Sequence, residues 1–156
     1  MFNIKLSFSL FLRLKHDLML KISKLTDYAT ILLIHLSRFK KPTSSSVLAT
    51  ETGVPEPTVA KVLKMLTRAS LVKSCRGAGS GYSLSFPLKE ITLAQVVVAI
   101  EGPIDLVNCD KDNCRLIAEE CELYGKWEAI SFQLRNVFEN ITIADLQDKK
   151  SMTHSC

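Results

Sequence analysis

Between Glu56 and Ala69 the chain reads EPTVAKVLKMLTRA, and this stretch carries two opposed stripes. At about 100° per residue, Val59, Val62, Leu63 and Leu66 fall on one side of a helix, with Lys61, Lys64 and Arg68 on the other. The apolar stripe must be pressed onto a core, which leaves the three cations facing outward. Pro55 opens this helix, Gly53 makes a turn before it, and a short helix over 47–52 precedes the turn. That shorter helix is opened by the run Pro42-Thr-Ser-Ser-Ser. A helix, a tight turn and a second helix with outward cations is the arrangement of a helix-turn-helix, whose second helix lies in a major groove. A merely solvated basic face would explain the cations alone, but the preceding helix and turn favour DNA.

Downstream, Leu71 to Phe86 reads LVKSCRGAGSGYSLSF, two short β segments around a glycine-rich tip from Arg76 to Gly81. A hairpin directly after a recognition helix is a wing, and Arg76 is placed for a phosphate or a narrow minor groove. No helix start follows Gly81, so the glycines at 77, 79 and 81 do not form a nucleotide-phosphate loop. Upstream, TDYATILLIHLSRF from Thr26 to Phe39 predicts an apolar helix capped by Thr26 or Asp27. Thr92-Leu-Ala-Gln is a capping box opening a helix to about Glu101, and Gly102-Pro103 ends it.

From Leu123 the apolar residues recur at Trp127, Ile130, Leu134 and Val137 in alternating steps of four and three. This heptad spacing predicts a dimerisation seam, and a single buried core helix is the competing interpretation. Thr142 caps a last turn through Leu146. The expected fold is therefore mainly α: a winged helix-turn-helix over 19–103, a cysteine-bearing loop over 104–122, and a long C-terminal dimerisation helix with its final turn over 123–147. Residues 148–156 form a tail. Residues 1–18 are an extension or precede the true start at Met19, since the readable pattern begins there.

A net charge of +4 is too mild to imply nucleic-acid binding by itself, so the case rests on where the cations cluster. The apolar run near the N-terminus is followed by Arg13, Lys15, His16 and Asp17, which is not a signal-peptide pattern, and it is too short to span a bilayer. A cytoplasmic protein with no membrane association is expected. No nucleophile–base constellation is visible, which argues against an enzyme.

Cys109, Cys114 and Cys121 lie in a polar stretch between the wing and the seam helix. Closely spaced thiolates of this kind suit an iron–sulfur cluster, zinc or copper(I). Zinc is disfavoured because paired Cys-x-x-Cys units are absent. A thiol–disulfide switch on the same residues is the other reading. Cys75, in the first wing strand, is expected as a small buried hydrophobe, and Cys156 as incidental. His35 sits amid apolar residues and is expected in the core or at an interface.

Taken together, LTDYA at 25–29, LVKSCRGAGSGYSL at 71–84, EITLAQVVVAIEGP at 90–103, the three-cysteine loop and NITIADL at 140–146 resemble the IscR/NsrR-type winged-helix regulators that hold an iron–sulfur cluster. The resemblance covers about Leu20 to Leu146. It implies a homodimer binding a palindromic operator in double-stranded DNA, with Cys109, Cys114 and Cys121 as cluster ligands. In the IscR branch a histidine follows the last cysteine by three residues, where this chain has Tyr124. In the NsrR branch an aspartate just before Tyr-Ala reaches the cluster of the other subunit, and Asp27 stands at that place. Asp27 is thus a candidate fourth ligand across the dimer, with helix capping as its alternative role. A 2Fe–2S cluster is favoured slightly over 4Fe–4S.

The function expected is transcriptional regulation through that cluster, of SUF or ISC assembly genes or of an iron or nitrosative response. Lys61, Lys64, Arg68 and Arg76 would contact the DNA backbone, and Thr58 would read a base. The alternative is a cluster-free regulator of the same fold, controlled by a protein partner or a thiol switch. A small electron carrier is a third class, disfavoured by the basic helix and wing.

Overall fold

The computed structural model describes residues 22–77, 79–106, 123 and 125–147. Helix α1 spans Lys24–Leu36 and buries Ala29, Leu32, Leu33 and Leu36 along one face. Its cap is Ser23, whose hydroxyl accepts from the Thr26 amide. The expected caps, Thr26 and Asp27, lie one turn inside the helix. Thr26 is buried and Asp27 is exposed. The helix also ends at Leu36 rather than Phe39, because the amides of Arg38 and Phe39 bond back only three residues in a tightening last turn.

Helix α2 is Ser45–Thr52, capped by Ser44 and closed by Gly53 in the left-handed region at φ 71°. Helix α3 is Glu56–Arg68. Val59, Val62, Leu63 and Leu66 on α3 are fully buried, each contributing about 1.5–3 kcal/mol on transfer from water. Its C-terminus is a Schellman turn: the Leu71 amide reaches the Leu66 carbonyl at 3.0 Å, and Ser70 takes the left-handed position at φ 61°.

Strands β1 (Val72–Cys75) and β2 (Gly81–Leu84) pair antiparallel, with Val72 opposite Leu84 and Cys75 opposite Gly81. Thr43 adds a third rung by exchanging both backbone hydrogen bonds with Tyr82, at 2.9 and 2.8 Å. Gly81 permits that approach, because a Cβ there would come within 2.7 Å of the Thr43 backbone. The wing is thereby stitched to the segment leading into α2.

A 3-10 turn over Leu88–Glu90 leads to α4, Leu93–Glu101, which opens with the expected reciprocal capping box between Thr92 and Gln95. Helix α5 runs Lys126–Glu139 and α6 Ile143–Gln147. The chain returns beside its own middle here. The Leu93 amide bonds the Ile141 carbonyl and the Ile143 amide bonds the Ile91 carbonyl, so EITLAQ and NITIAD lie paired. One core joins α1, α2, α3, the wing base and Ile143. A smaller one, Ala94, Val97 and Ile104 with Leu134 and Phe138, holds α5 against α4.

Candidate nucleic-acid interface

The inward stripe of α3 fixes its outward face, which carries Lys61, Lys64 and Arg68, all exposed. Thr58, in the first turn of the helix, is half-buried. Arg76 is exposed just beyond β1, ahead of Gly77 and Gly79 with φ of 98° and 86°. Those two values lie where only glycine is unstrained, so the tip folds back tightly.

Several polar groups near this face were missed in the sequence. Lys40 and Lys41 are exposed just ahead of Pro42 and Thr43, and the start of α2 presents its cap Ser44 with Ser45 and Ser46. A lysine pair followed by a serine cap was the available signal. Glu56, the first residue of α3, accepts from the Ser46 hydroxyl at 2.5 Å and from the Ser45 hydroxyl at 3.4 Å. These groups lie where the first helix of a helix-turn-helix crosses a phosphate backbone.

Asp27 lies in the first turn of α1, exposed, with its amide bonded to the Ser23 carbonyl at 3.2 Å. Cys109, Cys114, Cys121 and Tyr124 fall outside the described residues. Among the described residues no group of three or more His, Cys, Asp or Glu side chains is placed to hold a metal. The chain on either side of the cysteines is anchored. Before them, the Glu101 carboxylate accepts from the Ser23 amide at 3.2 Å and the Thr26 hydroxyl at 2.5 Å, tying the end of α4 to the start of α1. Hydrogen bonds from Ser23 and then the Thr26 hydroxyl hold the Glu101 carboxyl below its ordinary pKa. Next, the Leu106 amide donates to the Ser131 hydroxyl at 3.1 Å, and Ser131 is buried on α5. Asp105 and Arg135 form an exposed ion pair at 3.3 Å beside it.

Helix α5 keeps much of its apolar surface in the open. Leu123 in the preceding turn is 51% exposed, Trp127 36%, Ile130 46% and Val137 54%, while Leu134 and Phe138 pack on α4. The seam helix begins at Lys126, so Leu123 precedes it rather than starting it. Cys75 is free and only half-buried, which corrects its assignment as a buried residue, since it is the last residue of β1, next to the exposed tip of the wing. Burial lowers the pKa of His35, with the Arg38 charge adding to the effect and Glu51 opposing it; the ring is half-buried in the last turn of α1. No helix among the described residues is long and apolar enough to cross a membrane.

A family model for Rrf2, described as an iron-dependent transcriptional regulator, matches residues 22–149. The chain belongs to the Rrf2 family. Its winged-helix fold agrees with solved Rrf2 structures. It is similar to CymR, the global cysteine regulator of B. subtilis, at 32% identity and a TM-score of 0.60, covering 82% of this chain and 96% of that one. It is likewise similar to IscR of T. potens, at 26% identity and TM-score 0.60, covering 88% and 93%. Over 88 residues it is 32% identical to a Haemophilus influenzae protein described as an HTH-type transcriptional regulator. That match takes in 56% of this chain and 58% of the relative, and the chain spans under two thirds of the curated relatives it matches first.

Proposed function

We propose that the protein is a homodimeric transcriptional regulator that binds a palindromic operator in double-stranded DNA and senses through an iron–sulfur cluster. The observation that carries the DNA half is α3, with four fully buried apolar residues opposed to three exposed cations beside a wing ending in Arg76. In this reading Lys61, Lys64, Arg68 and Arg76 neutralise phosphates and Thr58 reads a base edge. Dimerisation through α5 is supported by the exposed apolar residues Trp127, Ile130 and Val137, which a second copy of the helix would cover.

For the cofactor, Cys109, Cys114 and Cys121 supply soft thiolates, and the partner subunit's Asp27 supplies a hard carboxylate. Three thiolates with one weaker ligand suit an oxidant-sensitive sensing cluster, with 2Fe–2S slightly favoured over 4Fe–4S. When bound, such a cluster supplies redox-dependent charge and ligand demand. The chain itself provides the relay. Leu106 is fastened to Ser131 on α5, and Glu101 is fastened to the turn that carries Asp27. A change of order between those anchors bears on the seam and on α1 together, and hence on the spacing of the two α3 helices. The regulated genes in this account are those of iron–sulfur assembly (SUF or ISC) or a related iron or nitrosative response.

A second reading follows from the similarity to CymR, whose description names cysteine rather than a cluster. It is a cluster-free regulator of the same fold, controlled by a protein partner or a thiol switch. Purification without oxygen from iron-replete cells, with an absorption spectrum and iron and sulfide counts, separates the two. Visible absorption with iron and sulfide in equal amounts supports the first. Colourless protein that still binds DNA supports the second.

A further inference from the structure

Glu56 is an acid at the N-terminal end of the helix that carries Lys61, Lys64 and Arg68. It is exposed at the first position of α3, five residues before Lys61, and its Oε1 accepts from both Ser45 and Ser46. As the first residue of α3 it gains from the positive end of that helix, which accounts for an acid at this position but not for its link to α2. The two hydroxyls hold the carboxylate between the first turns of α2 and α3 and restrict its rotamers. Its Oε2 has no partner among the described residues.

A carboxylate is an acceptor only. In a major groove it is satisfied by an exocyclic amine, of cytosine N4 above all, and it is repelled by phosphates and by base-edge acceptors. The first turn of a recognition helix is the part that meets base edges. Resting on the DNA-binding reading above, we propose that Glu56 is a specificity-determining residue. It reads an exocyclic amino group in each half-site and, wherever none is present, penalises docking. The same side chain rewards the right duplex and disfavours the rest, which is how discrimination exceeds what added contacts alone achieve.

The test uses the full chain, prepared without oxygen, and a duplex selected from a random library by the wild-type protein. Each base pair of that duplex is then varied in turn against wild type, Glu56→Gln and Glu56→Ala, with a scrambled duplex as the sequence-independent control. Both variants are expected to bind the scrambled duplex several-fold more tightly, with a salt dependence steeper by about 0.9 in the log–log slope for the one anion removed. They are also expected to lose roughly tenfold in preference at one C·G or A·T pair per half-site. Ser46→Ala, which releases the carboxylate without removing it, is expected to blunt the same preference partially. If Glu56 only staples α2 to α3, the variants lower the melting temperature and leave the base profile and salt slope unchanged, which overturns the proposal. A wild-type protein that selects no duplex removes the DNA-binding reading and this one with it.

Discussion

At the end of α4 a single carboxylate holds the first turn of α1. Glu101 takes two donors from that turn, and its pKa is lowered because the charged form makes those bonds. Its folded pKa therefore lies below the unfolded value of about 4.3. The stability it adds is fully present above that value and is lost as pH falls through the folded pKa. Glu101 is exposed, so the effect is held to about 1 kcal/mol or less. Glu101→Gln should lower the melting temperature at pH 7, and the gap to wild type should close in scans carried below about pH 4. A gap constant across that range would assign the contact to neutral hydrogen bonding alone. Asp27, one residue beyond Thr26, has no capping duty, since Ser23 performs it. Asp27→Ala should accordingly leave the unfolding free energy of cluster-free protein within about 0.5 kcal/mol of wild type, read from urea melts. In anaerobic protein it should alter the visible spectrum and speed cluster loss. An unchanged spectrum and lifetime would remove Asp27 as a ligand. The aspartate's place in the sequence was legible, but its freedom from capping was not, because Ser23, Thr26 and Asp27 are all good caps; in the fold Ser23 caps the Thr26 amide and the Thr26 hydroxyl is taken up by Glu101.

Among the elements, those with local signals were read most closely. The capping box at Thr92, the turn at Gly53 and the stripes of α3 depend on neighbours within one or two turns, and each is found where its residues place it. Features made by distant partners were not legible. The Thr43 rung on Tyr82 joins residues nearly forty apart, and the Ser45–Ser46–Glu56 cluster needs α2 and α3 already packed. The end of α3 is also a product of packing. Ser70 occupies a left-handed position that costs a residue with a Cβ about 1 kcal/mol, and it persists because Leu71 on its far side is buried. Ser70→Gly should raise stability by about 0.5–1 kcal/mol, seen as a higher urea midpoint at unchanged slope. A lower midpoint would mean that the serine side chain makes a compensating contact.

For the molecule as a whole, what holds one subunit together is separate from what α5 leaves uncovered. Leu134, Phe138 and Ser131 fasten the helix to α4 and to Leu106, while Trp127, Ile130 and Val137 remain exposed. The heptad rhythm predicts apolar residues recurring along α5; only the packed subunit separates Leu134, spent on its own core, from Trp127, Ile130 and Val137, which stay exposed. Ile130→Lys should convert a dimer to a monomer in sedimentation at micromolar concentration with little loss of helicity. It should also weaken operator binding by roughly two orders of magnitude or more, since the two recognition helices would no longer be joined. A variant that stays dimeric would place the seam on another surface.

In the proposed mechanism the cysteine loop is coupled to the recognition helices. The most direct measurement of that coupling is operator affinity, taken without oxygen, for wild-type protein and for the variant with Cys109, Cys114 and Cys121 all changed to Ala. At one fixed salt concentration the two should differ by about tenfold or more, a coupling of about 1.4 kcal/mol. Equal affinities would contradict the coupling and leave a DNA-binding Rrf2 protein governed by something other than its cysteines.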